Sequence, residues 1–356
     1  MSAAPPVPRR VDLGAVTVLV GHVLDVLADV ADASVQTIVT SPPYWGLRDY
    51  GCAPIDWPAV EYRPIWYLPP VRVEAMRCAL GLEPDVASFV AHMVLVFRGL
   101  RRVLRDDGTC WVNLGSSYAT GTNAPRGASV ERDGQDKPAG WTNRCQDTRR
   151  SPEGLAAKQF VHQPSLLALA LQADGWIWRS EVIWQKPNPM PSSVTDRPTV
   201  SHEQVLLFAK SPRYFYDATA IREPDSGQPA GNGLAGRQGG ARNTVVRGGI
   251  GSTEPWQPGA GRNARTVWKI PAAPFKGAHF ATFPPELARR CILAGSRPGD
   301  VVLDPFGGSG TTGAVAKTHG RVAVLCEAQP EYLPLIARRV AEAPAYQPAL
   351  DLGGVR

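Results

Sequence analysis

One stretch near the C-terminal end constrains the fold most, because a strand passes through a glycine-rich turn into a helix. It reads Val301-Val302-Leu303-Asp304-Pro305-Phe306-Gly307-Gly308-Ser309-Gly310-Thr311-Thr312-Gly313. Gly308, Gly310 and Gly313 fit the pattern G-x-G-x-x-G, in which missing Cβ atoms allow a ligand to approach the backbone. Glu327 follows Gly308 by nineteen residues, a spacing from which a carboxylate reaches ribose hydroxyls. The unit therefore predicts an α/β sheet that binds an adenosine-containing cofactor.

The residues around this turn narrow the choice of cofactor. A phosphate-gripping P-loop is excluded, because Ala314 stands where that motif needs a lysine. The glycines alone leave NAD open, as in an oxidoreductase. Asp304-Pro305-Phe306 favours S-adenosylmethionine, since a carboxylate at the strand end can face a methionine amino group but would repel a pyrophosphate. We therefore expect S-adenosylmethionine as the cofactor.

Apolar periodicity predicts alternating strands and helices along most of the chain. Strands are predicted at 16–20, 36–40, 109–114, 176–184, 204–209, 301–303 and 321–325, and helices at 85–105, 165–173, 285–294, 311–318 and 331–340. Gly108 is predicted to stop the helix at 85–105, residues 46–84 to be irregular, and residues 120–150 to form a mobile loop. This order predicts an α/β fold with a mixed, mainly parallel, doubly wound sheet.

A second motif follows the strand at 36–40 and reads Thr40-Ser41-Pro42-Pro43-Tyr44. Two prolines cannot continue a strand ladder, so they hold the backbone rigid with the carbonyls of Ser41 and Pro42 free to point into a cleft. A rigid turn with a packed tyrosine explains the motif equally well when it stands alone. The functional interpretation is the binding of an exocyclic amine, a poor nucleophile that hydrogen bonds could prepare for direct attack on a methyl group. Tyr44 could then stack on a flipped-out base.

Composition points to a polyanionic partner. The 356-residue chain has a formal net charge of +6, and residues 222–276 hold eight Lys or Arg against three Asp or Glu. The six cysteines are scattered without a C-x-x-C pair, which predicts reduced thiols, no metal site and a cytoplasmic protein. The proline-rich residues 1–10 have no apolar core, so no signal peptide is expected there, and the sequence contains no apolar run of eighteen residues, so no membrane span is expected.

With both motifs in order, the chain resembles the amino-group DNA methyltransferases in their permuted arrangement, where the catalytic motif precedes the cofactor motif. Further matching stretches are Trp184-Gln185-Lys186-Pro187-Asn188-Pro189, residues 196–198 and 201–203, residues 268–271, His279-Phe280-Ala281-Thr282-Phe283-Pro284, and Tyr332 and Arg339 in the last helix. The resemblance implies the S-adenosylmethionine-dependent methyltransferase fold with an inserted target-recognition region. The implied division is a catalytic part at 11–216, a recognition insertion at 217–276, a cofactor-binding part at 277–343 and a tail at 344–356.

The same resemblance implies the site residues. The catalytic residues would be Ser41, Pro42, Pro43 and Tyr44, with Trp45 beside them. The cofactor site would include Asp304, Phe306, Gly308, Ser309, Gly310, Thr311, Glu327 and Phe283. The family usually has Gly-Asp upstream of the catalytic strand, where this chain has Gly21-His22. His22 either accepts a hydrogen bond from the cofactor's adenine amine as neutral imidazole or is a locally satisfied histidine.

DNA contacts are predicted in the glycine-rich insertion and near the cleft. The candidates are Arg237, Arg242, Arg247, Arg262 and Arg265 in the insertion, and Arg48, Lys186 and Arg197 near the cleft. A soluble linker and ordinary surface charges are the alternatives. The partner would be double-stranded DNA; a homodimer and a cognate restriction endonuclease are further partners that the resemblance admits.

The target base follows from the first catalytic position. Carbon-5 methylation of cytosine needs a thiolate that usually follows proline, and none of the cysteines does. Serine at position 41 and the continuation Tyr44-Trp45-Gly46-Leu47-Arg48-Asp49-Tyr50 resemble the cytosine-N4 enzymes, with adenine-N6 as the alternative. An NAD oxidoreductase would leave Ser41-Pro42-Pro43-Tyr44 without a role. A DNA-binding protein without catalysis would leave both motifs unexplained.

Overall fold

A computed structural model describes residues 9–46, 51–119, 155–189, 191–224, 261–272 and 284–347. The strands are β1 (Arg9–Asp12), β2 (Val16–Val20), β3 (Val35–Thr40), β4 (Ile55–Trp57), β5 (Val60–Tyr62), β6 (Val71–Val73), β7 (Met76–Cys78), β8 (Leu104–Leu114), β9 (Ile177–Gln185), β10 (His202–Ala209), β11 (Val267–Lys269), β12 (Val301–Asp304) and β13 (Val322–Glu327). The helices are α1 (Val23–Val26), α2 (Val86–Val103), α3 (Gln163–Ala173), α4 (Pro285–Gly295), α5 (Thr311–Thr318) and α6 (Leu333–Glu342). Single 3₁₀ turns lie at Leu27–Asp29, Thr219–Ile221 and Pro330–Tyr332.

Nine of these strands form one sheet in the order β1-β2-β13-β12-β3-β8-β10-β9-β11. The pairs from β2 through β8 are parallel, whereas β1 runs antiparallel to β2 and β10 runs antiparallel to both β8 and β9. β11 adds a parallel edge strand beside β9. This mixed, mainly parallel sheet confirms the predicted fold class.

Helices cover both faces of the sheet and divide the apolar core in two. One core contains buried side chains of α1, α2 and α3, with Phe89 and Leu167 completely buried. The other contains side chains of α4, α5 and α6, with Leu287 and Ile336 completely buried. Two covered faces explain why β3 is buried at all six of its positions.

Helix α2 begins where the sequence predicts and ends earlier. The side chain of Asp85 caps it by accepting a hydrogen bond of 2.7 Å from the backbone N–H of Ser88. The prediction that Gly108 stops the helix is wrong, because the chain is already extended at Leu104, where β8 begins. A Cβ on Gly108 would lie 2.9 Å from the carbonyl oxygen of Gln36. Gly108 therefore allows β3 and β8 to approach each other.

The prediction that residues 46–84 are irregular is wrong in part, because the structure places two small antiparallel sheets there. β4 pairs with β7, and β5 pairs with β6. Trp57 and Tyr62, at the ends of β4 and β5, are 1% and 5% exposed, and the Tyr62 hydroxyl donates to the carbonyl of Ala87 in α2 over 3.3 Å. Alternation within three-residue strands is too short to be recognised in the sequence.

The predicted recognition insertion at 217–276 is described only at its two ends, and the predicted mobile loop at 120–150 lies outside the described residues. The returning end belongs to the sheet, since β11 pairs with β9 and Trp268 is 2% exposed. The division into parts therefore stays a prediction. None of the described helices has the length and apolar character needed to cross a membrane.

Candidate active site

The predicted catalytic and cofactor motifs meet at one edge of the sheet. Seven strands point the same way, so the carboxyl ends of β2, β13, β12, β3, β8, β9 and β11 share this edge. The antiparallel strand β10 brings its amino end to the same edge. In open α/β sheets, ligands bind outside the carboxyl ends of the strands.

Asp304 joins the two motifs directly. Its buried carboxylate accepts hydrogen bonds of 2.7 Å from the hydroxyls of Thr40, at the end of β3, and Thr312, in α5. The backbone N–H of Phe306 donates to the same carboxylate over 3.1 Å. Asp304 therefore fixes the residue before Ser41 against the glycine turn, in addition to any contact with a ligand.

Two glycines of the turn are needed for internal packing. Gly310 has a positive φ of 80°, and a Cβ there would lie 3.0 Å from the side chain of Ile336. A Cβ on Gly313 would lie 3.0 Å from both Val16 and Leu325. These two glycines therefore let α5 and its turn approach the sheet and α6.

Ser309 and Thr311, predicted as cofactor residues, are buried beneath the turn. Arg339 of α6 donates a hydrogen bond of 2.7 Å to the Ser309 hydroxyl and a second to the Thr311 hydroxyl. Arg339 thus braces the glycine turn from the last helix, as its predicted position in that helix allows.

Glu327 ends β13 beside the same turn. One of its carboxylate oxygens accepts from the backbone N–H of Gly308 over 2.7 Å, and the other accepts from the N–H of Gln329 over 2.8 Å. A carboxylate has about four acceptor positions, so Glu327 can also accept from a ribose hydroxyl.

Burial makes Asp304 and Glu327 weaker acids than usual. It raises the pKa of Asp304 to about 6, against the hydrogen bonds from Thr312 and Thr40, which lower it. Burial likewise raises the pKa of Glu327 to about 7, again against its backbone hydrogen bonds. Two desolvated acids beside a glycine turn suit a cofactor with hydroxyls and a positive charge, because such a ligand favours their ionised forms. These residues therefore fit S-adenosylmethionine.

His22 lies at the neighbouring strand end, after β2, and caps α1. Its Nδ1 accepts from the backbone N–H of Leu24 over 3.3 Å, and its ring meets the Trp57 ring edge-on with centroids 5.0 Å apart. Burial lowers the pKa of His22 to about 4; Asp25 raises it, and His92 lowers it by a smaller amount. The imidazole is therefore neutral, with the proton on Nε2, which makes Nε2 a donor.

The motif Ser41-Pro42-Pro43-Tyr44 follows β3 as predicted, and Tyr44 is held by a polar network. The Tyr44 hydroxyl donates to Oε2 of Glu203 over 2.7 Å, and the side-chain amide of Asn113 donates to the Tyr44 hydroxyl over 2.8 Å. The Tyr44 and Ser41 hydroxyls lie 3.5 Å apart. One part of the ring packs against Gly115, where a Cβ would lie 2.8 Å from Tyr44 Cε2.

A turn at residues 79–83 supports the motif from behind. The backbone N–H of Gly46 donates to the carbonyl of Gly81 over 2.9 Å, and a Cβ on Gly81 would lie 3.3 Å from Pro43 Cβ. Trp45 donates from its indole to the carbonyl of Glu83 over 3.0 Å and is 4% exposed. Trp45 therefore anchors this turn.

The Glu83 carboxylate holds the turn to helix α2. It accepts from the backbone N–H of Gly81 over 2.8 Å and pairs with Nδ1 of His92 at 2.9 Å, with both side chains fully buried. The His92 ring stacks on Trp57 with centroids 4.2 Å apart. Glu83, His92 and Cys78 make up the group of possible metal ligands found in the described part of the chain. The glutamate–histidine hydrogen bond already accounts for two of its three members.

Lys186 and Arg197, predicted to contact DNA, both have partners at this edge. Lys186 donates to Oε1 of Glu203 and lies 4.4 Å from the centroid of the Trp184 ring. Arg197 lies over the ring of Tyr118 at 3.8 Å. Lys186 therefore completes the network around Tyr44.

Arg262 and Arg265 both pair with Glu223. Their Nε atoms lie 3.2 and 2.8 Å from Glu223 Oε2, although the two side chains remain 47% and 66% exposed. The remaining candidates lie outside the described residues; they are Arg48, Arg237, Arg242, Arg247 and Phe283.

Sequence reasoning missed Asn113, and it assigned no role to Glu203 although residues 201–203 lie in a stretch that resembles the family. Asn113 comes just before the end of β8, the strand next to β3, and Glu203 comes just after the start of β10. A polar residue near the carboxyl end of a buried strand was a usable signal for Asn113. Glu203 could not be located, because its place depends on β10 running antiparallel.

Known proteins share both sequence and fold with this chain. A family model described as DNA methylase matches residues 35–338. Type II methyltransferase M.Cfr9I from Citrobacter freundii is 40% identical over 92% of this chain and 89% of its own length. Type II methyltransferase M.SmaI from Serratia marcescens is 37% identical over 91% and 90%.

Solved structures agree on the fold. The structure of PvuII DNA methyltransferase (cytosine-N4-specific) superposes with a TM-score of 0.54 and 18% identity, covering 91% of this chain and 86% of that one. A putative DNA modification methylase from Thermus thermophilus, in complex with S-adenosylmethionine, has a TM-score of 0.50 and 22% identity over 92% and 94%.

Proposed function

Because this chain belongs to the DNA methylase family of amino-group methyltransferases, we propose that it methylates the N4 amine of cytosine at a specific DNA site. The chain uses S-adenosylmethionine, as this family does. The observation that carries the proposal is the position of Ser41, which follows the residue that Asp304 holds against the glycine turn. The choice of cytosine rests on serine at this first position of the motif.

The residues proposed to hold the cofactor are those of the turn and its neighbours. Glu327 would accept from the ribose hydroxyls, and Asp304, with Phe306 beside it, would lie near the amino acid part. The expected acceptance from the adenine amine does not fit, because Nδ1 of His22 already accepts from Leu24. His22 would instead donate from Nε2 to a ring nitrogen of the adenine. The bound cofactor supplies a methyl carbon made electrophilic by a positively charged sulfur.

The chemistry proposed for the motif is positioning without a covalent intermediate. Ser41 and the backbone carbonyl of Pro42 accept hydrogens of the amine, and Tyr44 stacks on the flipped base. The amine nitrogen then forms its bond to the methyl carbon while the sulfur takes the electron pair of the broken bond. The methylated nitrogen releases one proton to solvent, which leaves a neutral product.

The proposed DNA partner is a duplex that the basic insertion grips, with Arg237, Arg242 and Arg247 as the first candidates. Arg262 and Arg265 share Glu223 and are thereby held at the start of β11. The relatives are Type II methyltransferases, and on that basis we expect a partner endonuclease of the same specificity. A homodimer stays a prediction from the resemblance.

The test is methylation of genomic DNA with S-adenosylmethionine carrying a tritiated methyl group. We expect the label in N4-methylcytosine after digestion to nucleosides and chromatography, and none with Ser41→Ala, which should still bind the cofactor in calorimetry. Label in N6-methyladenine would replace the proposed base. Methylation-sensitive sequencing of DNA from an expressing host then gives the site.

A further inference from the structure

Asn113 lies level with Ser41 on the neighbouring strand. Thr40 pairs with Val112 in the parallel register of β3 and β8, so the next residues of the two strands are Ser41 and Asn113. Asn113 is 3% exposed. Its Nδ2 lies 3.4 Å from the Ser41 hydroxyl, which places the amide in the immediate surroundings of the proposed catalytic residue.

Glu203 determines which way this amide faces. Its Oε2 lies 2.9 Å from Asn113 Nδ2 and also accepts from the Tyr44 hydroxyl. A carboxylate accepts hydrogen bonds, so the NH₂ group must face it and the amide oxygen must face away. Lys186 holds the other oxygen of Glu203, which keeps the carboxylate in place.

The amide oxygen of Asn113 is left over in this arrangement. It is buried and has no hydrogen-bond partner within the described parts of the chain. A buried acceptor without a donor destabilises the folded protein, and a bound ligand can supply the missing donor. A flipped-out base that presents an amine at Ser41 brings a donor with two hydrogens to this place.

We propose that Asn113 binds the target base directly, with Oδ1 accepting one hydrogen of the exocyclic amine while Ser41 and the Pro42 carbonyl take the other. Glu203 acts as a positioning residue that orients the Asn113 amide. These three acceptors, one on β8 and two just after β3, hold the amine so that its lone pair is turned out of conjugation with the ring. This inference rests on the proposed function, because it takes Ser41 to mark the position of the reacting amine.

The first experiment combines a protein variant with a substrate lacking the amine. The duplexes contain the unmethylated recognition sequence that methylation-sensitive sequencing identifies. The target base in them is either intact or replaced by its amine-free analogue, which is 2-pyrimidinone for cytosine or purine for adenine. Binding is measured with sinefungin as a non-reactive cofactor analogue. We expect Asn113→Ala to weaken binding of the intact duplex about tenfold, the loss of one desolvated hydrogen bond, and to change binding of the amine-free duplex less than twofold.

An equal loss with both duplexes would overturn the proposal, since Asn113 would then act only on the shape of the site. Gln36→Ala is the matched control, because it removes another buried amide, at the start of β3, where Gln36 Nε2 donates to the carbonyl of Asp107. It should affect neither duplex selectively. If the unaltered protein transfers no methyl to any DNA, the proposed function itself has failed.

A second experiment reverses the hydrogen bonds of the network. In Asn113→Asp two carboxylates face each other, and in Glu203→Gln the orienting acceptor is weakened, so each change should lower kcat at least tenfold. In the double variant the new glutamine can donate to the new aspartate, which still presents an oxygen to the amine. We expect the double variant to recover at least tenfold in kcat over Asn113→Asp. No recovery, with cofactor binding intact in all three variants, would show that Glu203 does not orient residue 113.

Discussion

At the scale of single residues, the site depends on acids and a histidine whose charge is set by burial. Asp304 and Glu327 both have pKa values raised towards neutrality, whereas the pKa of His22 is lowered well below it. The acids are therefore sensitive to pH in the working range, while the histidine stays neutral throughout it. Each of these states has a measurable consequence.

Cofactor affinity should increase with pH through the titration of Glu327. Its ionised form accepts from ribose hydroxyls, so with a pKa of about 7 binding should weaken roughly tenfold from pH 8 to pH 6. The pKa of Glu327 is higher in the folded protein than in the unfolded chain, so protonation of Glu327 stabilises the cofactor-free protein at low pH. This stabilisation is lost as the pH rises through about 7. Calorimetry between pH 5.5 and 8.5 measures the affinity. The same slope in Glu327→Gln would contradict this origin.

Replacing His22 separates its structural contribution from any contact with the cofactor. His22→Ala removes the N-cap of α1, which should cost about 1 kcal/mol and lower Tm by a few degrees. His22→Asp should keep Tm, because aspartate also caps helices, and should still bind S-adenosylmethionine, with its carboxylate accepting from the adenine amine in place of the donor on Nε2. Differential scanning fluorimetry and calorimetry test both variants. An unchanged Tm in His22→Ala would argue against the capping role.

At the scale of elements, the sequence predicted the long periodic segments and the two motifs but not the parts that depend on neighbours. Helix α5 lies at the predicted residues, because the glycine turn that precedes it is a local signal. The end of α2 was misplaced, since the pairing of Leu104 with Val35 decides it. The position of Glu203 beside Tyr44 follows from sheet order alone, which no local pattern contains.

The turn at 79–83 shows how one element supports another. Glu83→Ala would leave His92 Nδ1 and the N–H of Gly81 without their acceptor, so we expect a loss of about 3 kcal/mol in the free energy of unfolding. Methyl transfer should fall as well, because the turn supports Pro43 and Tyr44. Urea denaturation and activity assays measure the two effects.

The matched control is Glu74→Ala, whose side chain is 76% exposed and pairs with Arg72. It should change stability by less than about 0.5 kcal/mol. An equally small effect of Glu83→Ala would show that the turn does not depend on its carboxylate.

At the scale of the whole molecule, a sheet with its site along one edge is combined with a basic segment at residues 222–276. Replacing Arg237, Arg242 and Arg247 by alanine should weaken DNA binding at every sequence and leave cofactor affinity unchanged. The slope of log K against log salt should decrease by up to about 0.9 for each arginine that no longer neutralises a phosphate. Fluorescence anisotropy at several salt concentrations measures the slope. Arg10→Ala, in the edge strand β1, is the control, and an unchanged slope in the triple variant would place the DNA contacts elsewhere.

The order of strands in the sheet has a consequence for biosynthesis. β2 and β3 are close in sequence, yet β13 and β12 lie between them in the sheet. In a growing chain β1 can pair with β2 and β8 with β3, but the other edge of β2 and of β3 stays open until β12 and β13 leave the ribosome. Such late, long-range pairing makes folding slow and exposes edges to aggregation. A product truncated before β12 would lack the middle of the sheet and half of the candidate site, so we expect modification of DNA only after β12 and β13 have been synthesised.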